Sequence, residues 1–223
     1  MFEKRINIFT GHFGSGKTEV AVNTAVQLNE KGCKTAILDF DIVNPYFRTA
    51  DVKELLAQKG IWVMTTTYAN TNVDVPAIPA EVSTLFVNKD YRVVFDVGGD
   101  DIGARALSRY REEILDDDYE MYFVININRP MTASVEKIEE MIWEIEQSSR
   151  LKVTRLVNNT NVLSYTTGDD ILKGQQIIKQ VSQKLGIPVG FTSGFAGHID
   201  SVKDRIDGEI LYLVRLIKLP WEG

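Results

Sequence analysis

Near the amino end, Gly11-His12-Phe13-Gly14-Ser15-Gly16-Lys17-Thr18 has residue types and spacing suited to holding a polyphosphate. The glycines let the backbone curl until successive N–H groups converge on an anion. A helix beginning at Lys17 adds the positive end of its dipole. Lys17 supplies a full charge for the outer phosphates, and the Thr18 hydroxyl is a ligand for the Mg²⁺ that accompanies them. The G-x-x-x-x-G-K-T pattern has the Walker A spacing without deviation. It lies between an apolar run, Ile6–Thr10, and an amphipathic stretch, Lys17–Lys31, the strand-to-helix context the chemistry requires. Every residue from Gly11 to Glu19 is therefore assigned to nucleotide binding.

Three other polar groups close apolar runs. Asp39-Phe40-Asp41 ends Thr35–Asp39, Asp96-Val97-Gly98-Gly99 ends Tyr91–Asp96, and Asn158-Asn159 ends Val153–Val157. An open parallel sheet places its ligand at the carboxyl ends of its strands. A core strand seldom ends in a carboxylate for packing reasons, because a buried unpaired charge is costly. A metal ion and a triphosphate account for both acidic ends, whereas a turn or helix cap is the plain alternative for each group.

The elements that must position these residues follow from the hydropathy pattern. Short apolar runs alternate with longer amphipathic stretches, as in βα units around a parallel sheet. Strands are expected at Ile6–Thr10, Thr35–Asp39, Ile61–Thr66, Tyr91–Asp96, Met121–Ile127, Val153–Val157 and Ile187–Phe191. Helices are expected at Lys17–Lys31, Asp51–Lys59, Pro79–Asn88, Ile102–Leu115, Thr132–Ser148, Gly174–Leu185 and Glu209–Lys218. This describes a three-layer α/β/α fold with a mostly parallel central sheet. No Pro/Gly/Ser-rich linker divides the 223 residues, so one domain spanning 1–223 is expected.

Composition narrows the function. The net charge of −6 argues against an extended nucleic-acid surface, which needs clustered Lys and Arg. Cys33 is the only cysteine, so one chain can form neither a disulfide nor a Cys-rich metal centre. The amino end lacks the apolar stretch of a signal peptide, and nowhere is there a run of about twenty apolar residues. A cytoplasmic protein is expected. The apolar tail Ile210–Trp221 offers only Arg215 and Lys218 as cations. Membrane-seeking amphipathic helices usually carry more Lys and Arg on their polar face, so this tail is read as a helix packed on the core or in a subunit interface.

The segments Gly11–Thr18, Ala36–Asp41, Val93–Gly99 and Leu156–Asn159, with the turn Leu28–Ala36, resemble the MinD/ParA group of P-loop ATPases. The resemblance implies an ATP- and Mg²⁺-dependent switch. In it Asp41 positions the attacking water or a metal-bound water, and Asp96 holds Mg²⁺ through water. Gly98 and Gly99 sense the γ-phosphate by their backbone, and Asn158 reads the adenine edge. Catalysis is accordingly assigned to Lys17 and Asp41, and metal binding to Thr18, Asp41 and Asp96. Asp39 is read as a supporting partner or a helix cap. Guanine-specific relatives carry an Asp three residues past this strand end, where this chain has Asn161, so ATP is favoured over GTP. Segment Thr192–Phe195 lies where relatives wrap the adenine, and His198 follows as a loop histidine near the base or a partner surface. The resemblance also implies a protein partner and a nucleotide-dependent homodimer. Here the chain departs from the pattern. Many members carry a signature lysine directly after the first glycine, and that place holds His12, followed by Phe13. A small-molecule kinase or a ligase of the dethiobiotin synthetase type is the competing function, with the polar loop Thr65–Asp74 as its acceptor pocket. A nucleotide-binding module without useful turnover is a third. Arg48 and Arg105 are weighed as charge-stabilising arginines against ordinary surface positions.

Overall fold

The computed structural model describes residues 1–41, 49–65, 81–99 and 101–217. Arg48, most of the loop Thr65–Asp74, and the tail from Lys218 to Trp221 lie outside the described residues.

Eight parallel strands form one sheet in the order β3-β2-β4-β1-β5-β6-β7-β8. They are β1 (Ile6–Thr10), β2 (Thr35–Phe40), β3 (Trp62–Thr65), β4 (Arg92–Val97), β5 (Tyr119–Ile125), β6 (Arg155–Asn158), β7 (Val189–Phe195) and β8 (Glu209–Leu213). Central strands are apolar on both faces because both faces are covered. In β1, Ile6 and Ile8 point into one core layer and Phe9 into the other. Helix α1 (Lys17–Glu30) packs on the second layer through Val20, Ala21 and Leu28, joined by α2 (Lys53–Gln58) through Leu56. The opposite layer receives α3 (Val82–Val87), α5 (Arg111–Leu115), α6 (Val135–Ser149) and α7 (Gly168–Leu185). Helix α4 (Asp101–Ser108) buries Leu107 there as well, and the short α8 (Ala196–Ile199) follows β7.

The register brings the chemistry to one edge. Asp39 of β2 lies opposite Asp96 of β4, and Phe9 of β1 is paired with Asp96 from the other side. The turn after β1 therefore opens directly between the strand ends that carry the carboxylates.

Four sequence expectations change. The closing helix Glu209–Lys218 is instead strand β8, an outer strand paired with β7. Its buried Leu211 and Leu213 flank Tyr212, which is 46% exposed, a period-two alternation that no helix displays. The expected helix Ile102–Leu115 is two helices, α4 and α5, separated at Arg109 and Tyr110. The stretch Asp51–Lys59 opens with a 3₁₀ turn, Thr49–Val52, before α2. Helix α7 starts at Gly168 rather than Gly174 because Thr167 and Asp170 form a reciprocal capping box.

That early start leaves Gly174 inside α7, against the end of β6. A Cβ there would stand 2.2 Å from Thr160 Oγ1 and 2.5 Å from Asn158 Oδ1. Gly174→Ala gains helix propensity of about 1 kcal/mol but overpacks this contact. We expect a net loss of about 1–2 kcal/mol in urea unfolding. Unchanged or increased stability would contradict the close approach.

Candidate functional site

The turn after β1 is bent by glycine where the bend is needed. Gly16, at the amino end of α1, has φ of 83°, in the left-handed region. A Cβ there would lie 2.3 Å from Asn159 Nδ2. Gly99 approaches the same turn from β4, and its Cβ would fall 2.0 Å from the Gly11 carbonyl oxygen. Gly16 thus makes room for the Asn159 side chain, and Gly99 for the backbone of the loop.

Beneath the loop is a small volume of high charge. Lys17, Asp39, Asp41 and Asp96 are all buried, at 4%, 4%, 5% and 0% exposure. Lys17 Nζ donates to Asp41 Oδ2 at 2.5 Å. The Asp41 backbone N–H donates to Asp39 Oδ1 at 3.1 Å. The Thr49 hydroxyl donates to Asp96 Oδ2 at 3.1 Å, while Asp96 Oδ1 is buried with no hydrogen-bond partner among the described residues. Burial pulls the Lys17 ammonium down, but Asp41, Asp96 and Asp39 together hold it above its ordinary value. Burial pushes Asp96 up to about 7. Lys17 pulls it back, Asp39 and Asp41 push it further, and the Thr18 hydroxyl tempers the shift.

An orphaned carboxylate oxygen next to the Thr18 hydroxyl fits a hydrated Mg²⁺, which favours oxygen ligands and retains several waters. Among the described residues no cluster of three or more His, Cys, Asp or Glu side chains is placed to hold a metal alone. Phosphate oxygens and water must complete such a site. Thr18 and Asp96 would hold the ion, and Asp41 joins them only if it leaves Lys17.

On the other side of Lys17, Thr18 and Glu19 opens a cavity of ≈ 510 Å³. Its walls come from the ends of β6 and β7, the start of α7 and the segment after β8. Asn159 ties three of these parts together. Its Nδ2 donates to the Ser15 carbonyl at 2.7 Å, and its Oδ1 accepts from the Ser193 hydroxyl at 3.0 Å. Ser193, Gly194 and Phe195 line the cavity, as does His198, whose ring meets Phe195 edge-on with centroids 6.5 Å apart.

Placement differs for the other residues singled out in the sequence. The Asn158 side chain points into the protein, where Nδ2 donates to the Ile171 carbonyl and Oδ1 accepts from the Thr160 amide. It fastens α7 to β6, and its neighbour Asn159 faces the cavity. Phe13 stands 56% exposed on the loop. His12 has a buried Nδ1 without a hydrogen-bond partner. Glu19 lines the cavity, yet its carboxylate is taken up by backbone amides of Leu216 and Ile217. Gly98 donates its N–H to the Phe40 carbonyl at 3.4 Å, joining the turn after β4 to β2. Arg105 is exposed on α4.

Sequence reasoning missed Arg129 and the segment after β8. Arg129, in the turn after β5, donates from Nε to the Gly14 carbonyl at 2.9 Å and lines the cavity. No motif marked it, since a single arginine after Ile-Asn has no spacing signal. The Asn-rich run 158–161 did mark the strand end, but which asparagine faces the ligand depends on the pleat.

Fold and loop together define a P-loop NTPase, a nucleotide-binding class. The ParA pattern, described as NUBPL iron-transfer P-loop NTPase, is similar to residues 1–94, somewhat less than half of the chain. No curated protein matches significantly. Among solved structures, FtsY of Thermotoga maritima aligns at a TM-score of 0.55 with 19% identity, over 84% of this chain and 60% of that one. Chloroplast FtsY of Physcomitrella patens aligns at 0.55 with 16% identity, over 84% and 57%. The chain thus spans about three fifths of the length of these structures. At such identities the likeness concerns the fold.

The raised Asp96 carboxyl generates a prediction for the nucleotide-free protein. Its unfolded-state value is about 3.9, and in the fold it ionises at about 7. The folded state therefore binds the extra proton, and stability falls as pH climbs through that interval. Asp96→Asn should flatten this pH dependence and melt higher than the parent at pH 8. Matching pH–Tm profiles would contradict the assignment.

Proposed function

We propose that this chain binds ATP with Mg²⁺ and hydrolyses it slowly, as a conformational switch read by a protein partner in the cytoplasm. One observation carries the reading: the buried pair between Lys17 and Asp41, beside an Asp96 oxygen that lacks a partner. Among the described residues, the Lys17 ammonium lies with the buried carboxylates of Asp39, Asp41 and Asp96. A triphosphate with its metal offers Lys17 and Asp96 new partners. Lys17 would move to the outer phosphates, Thr18 and Asp96 would hold Mg²⁺, which would neutralise phosphate charge, and Asp41 would be free to orient water. Phosphoryl transfer needs little more from a protein than such positioning and charge neutralisation.

One joint supports the switch. The turn 98–99 rests on the phosphate loop through the tight Gly99–Gly11 approach. Loss of the γ-phosphate returns Lys17 to Asp41 and shifts this turn. A partner then reads the difference, and a second copy of the chain is one candidate reader. His12 and the exposed Phe13 stand on the loop where family dimers meet. Adenine is favoured over guanine because the carboxylate lining the described cavity, Glu19, is already committed to backbone amides. A guanine edge presents donors that call for a free acceptor of that kind.

Titration of MgATP by calorimetry tests the reading. Lys17→Ala should weaken binding roughly 100-fold, the scale of a lost buried charge-assisted contact, and MgGTP should bind the parent more weakly than MgATP. Parental affinity in Lys17→Ala would defeat the proposal.

A further inference from the structure

After β8 the chain does not leave the molecule at once; residues Val214–Ile217 run across the first turns of α1. Two side chains one helical turn apart hold them. Asn23 accepts from the Val214 amide at 2.8 Å and donates to the Val214 carbonyl at 2.9 Å, as a neighbouring strand would. Glu19 accepts from the Leu216 amide at 2.8 Å and from the Ile217 amide at 3.4 Å, and Asn23 Nδ2 donates to it at 3.1 Å. The alternate residues Leu213, Arg215 and Ile217 form one wall of the ≈ 510 Å³ cavity. Glu19 directly follows Thr18, so this wall is anchored to the same helical turn that receives phosphate and metal.

We propose that Glu19 and Asn23 are positioning residues that make Val214–Ile217 the wall gripping the nucleoside, so that this strap sets how much affinity base and sugar add to the phosphates. The proposal rests on the nucleotide reading above and deepens it. It assigns Glu19 to the strap rather than to the ligand. Both of its carboxylate oxygens accept from strap amides. A nucleoside reaching from the phosphate loop into the cavity meets Phe195, His198 and the strap among its walls. The coupling runs both ways, since a base that orders the strap also fixes the helix turn beneath the phosphates.

The test compares two probes on the full chain, MgATP and Mg-tripolyphosphate, which shares the phosphates and lacks base and sugar. In the parent, MgATP should bind tighter. Glu19→Gln leaves one acceptor oxygen for two amides, and Asn23→Ala removes the strand-like pairing. Each should reduce the preference for MgATP over Mg-tripolyphosphate about tenfold. A preference kept at the parental ratio in both folded variants overturns the proposal. Should either variant fail to fold, amide exchange in the parent decides. The Leu216 and Ile217 amides should slow about tenfold more with MgATP than with Mg-tripolyphosphate, and equal protection overturns the proposal. The nucleotide reading fails separately, and takes the strap proposal with it, if the parent binds neither probe.

Discussion

The ammonium of Lys17 is held without bulk water against the Asp41 carboxylate, and the architecture around the phosphate loop keeps that buried pair in place. Asp39 and Asp96 are equally inaccessible beside it. Burial, Asp39 and Asp41 push the Asp96 carboxyl up, against the pull of Lys17. Burying charge in this way is costly, since desolvation offsets much of what pairing gains. Core packing on both faces of a parallel sheet supplies the rigidity that keeps the groups together despite the cost.

Parallel strand order converts that local chemistry into a site with two halves. The β1–β4–β2 side carries the carboxylates, whereas the β5–β6–β7–β8 side carries the cavity. The loop after β1 sits at the centre and touches both, through Gly99 on one flank and through Asn159 and Arg129 on the other. A ligand that spans the halves must be long, anionic at one end and flat or apolar at the other. A nucleoside triphosphate has that shape. Inorganic phosphate alone would fill only the first half.

Much of this was legible in the residues. The Gly11–Thr18 spacing, the two strand-terminal aspartates and the alternation of apolar runs with amphipathic stretches all depend on local pattern, and pattern survives in sequence. What was not legible depended on pairing at a distance. β8 resembled a helix because Ile210–Leu213 is apolar throughout; only its edge position, with Tyr212 facing out, makes the period two rather than 3.6. Asn158 and Asn159 are interchangeable as letters, yet the pleat sends one against α7 and the other to the loop. Arg129 gained its place from the turn after β5, which brings it beside Gly14. The strap became visible only once α1 was seen to offer Glu19 and Asn23 on one face. The capping box at Thr167 and Asp170, by contrast, stood in the sequence and would have placed the start of α7 correctly.

The claim at the centre is that Lys17 changes partner when nucleotide arrives. A crystal structure of the chain with Mg²⁺ and a non-hydrolysable ATP analogue tests it most directly. The account predicts Lys17 Nζ on the outer phosphates, its bond to Asp41 gone, and the Asp96 carboxylate on a water of the metal. A nucleotide bound while Lys17 still holds Asp41 would contradict it.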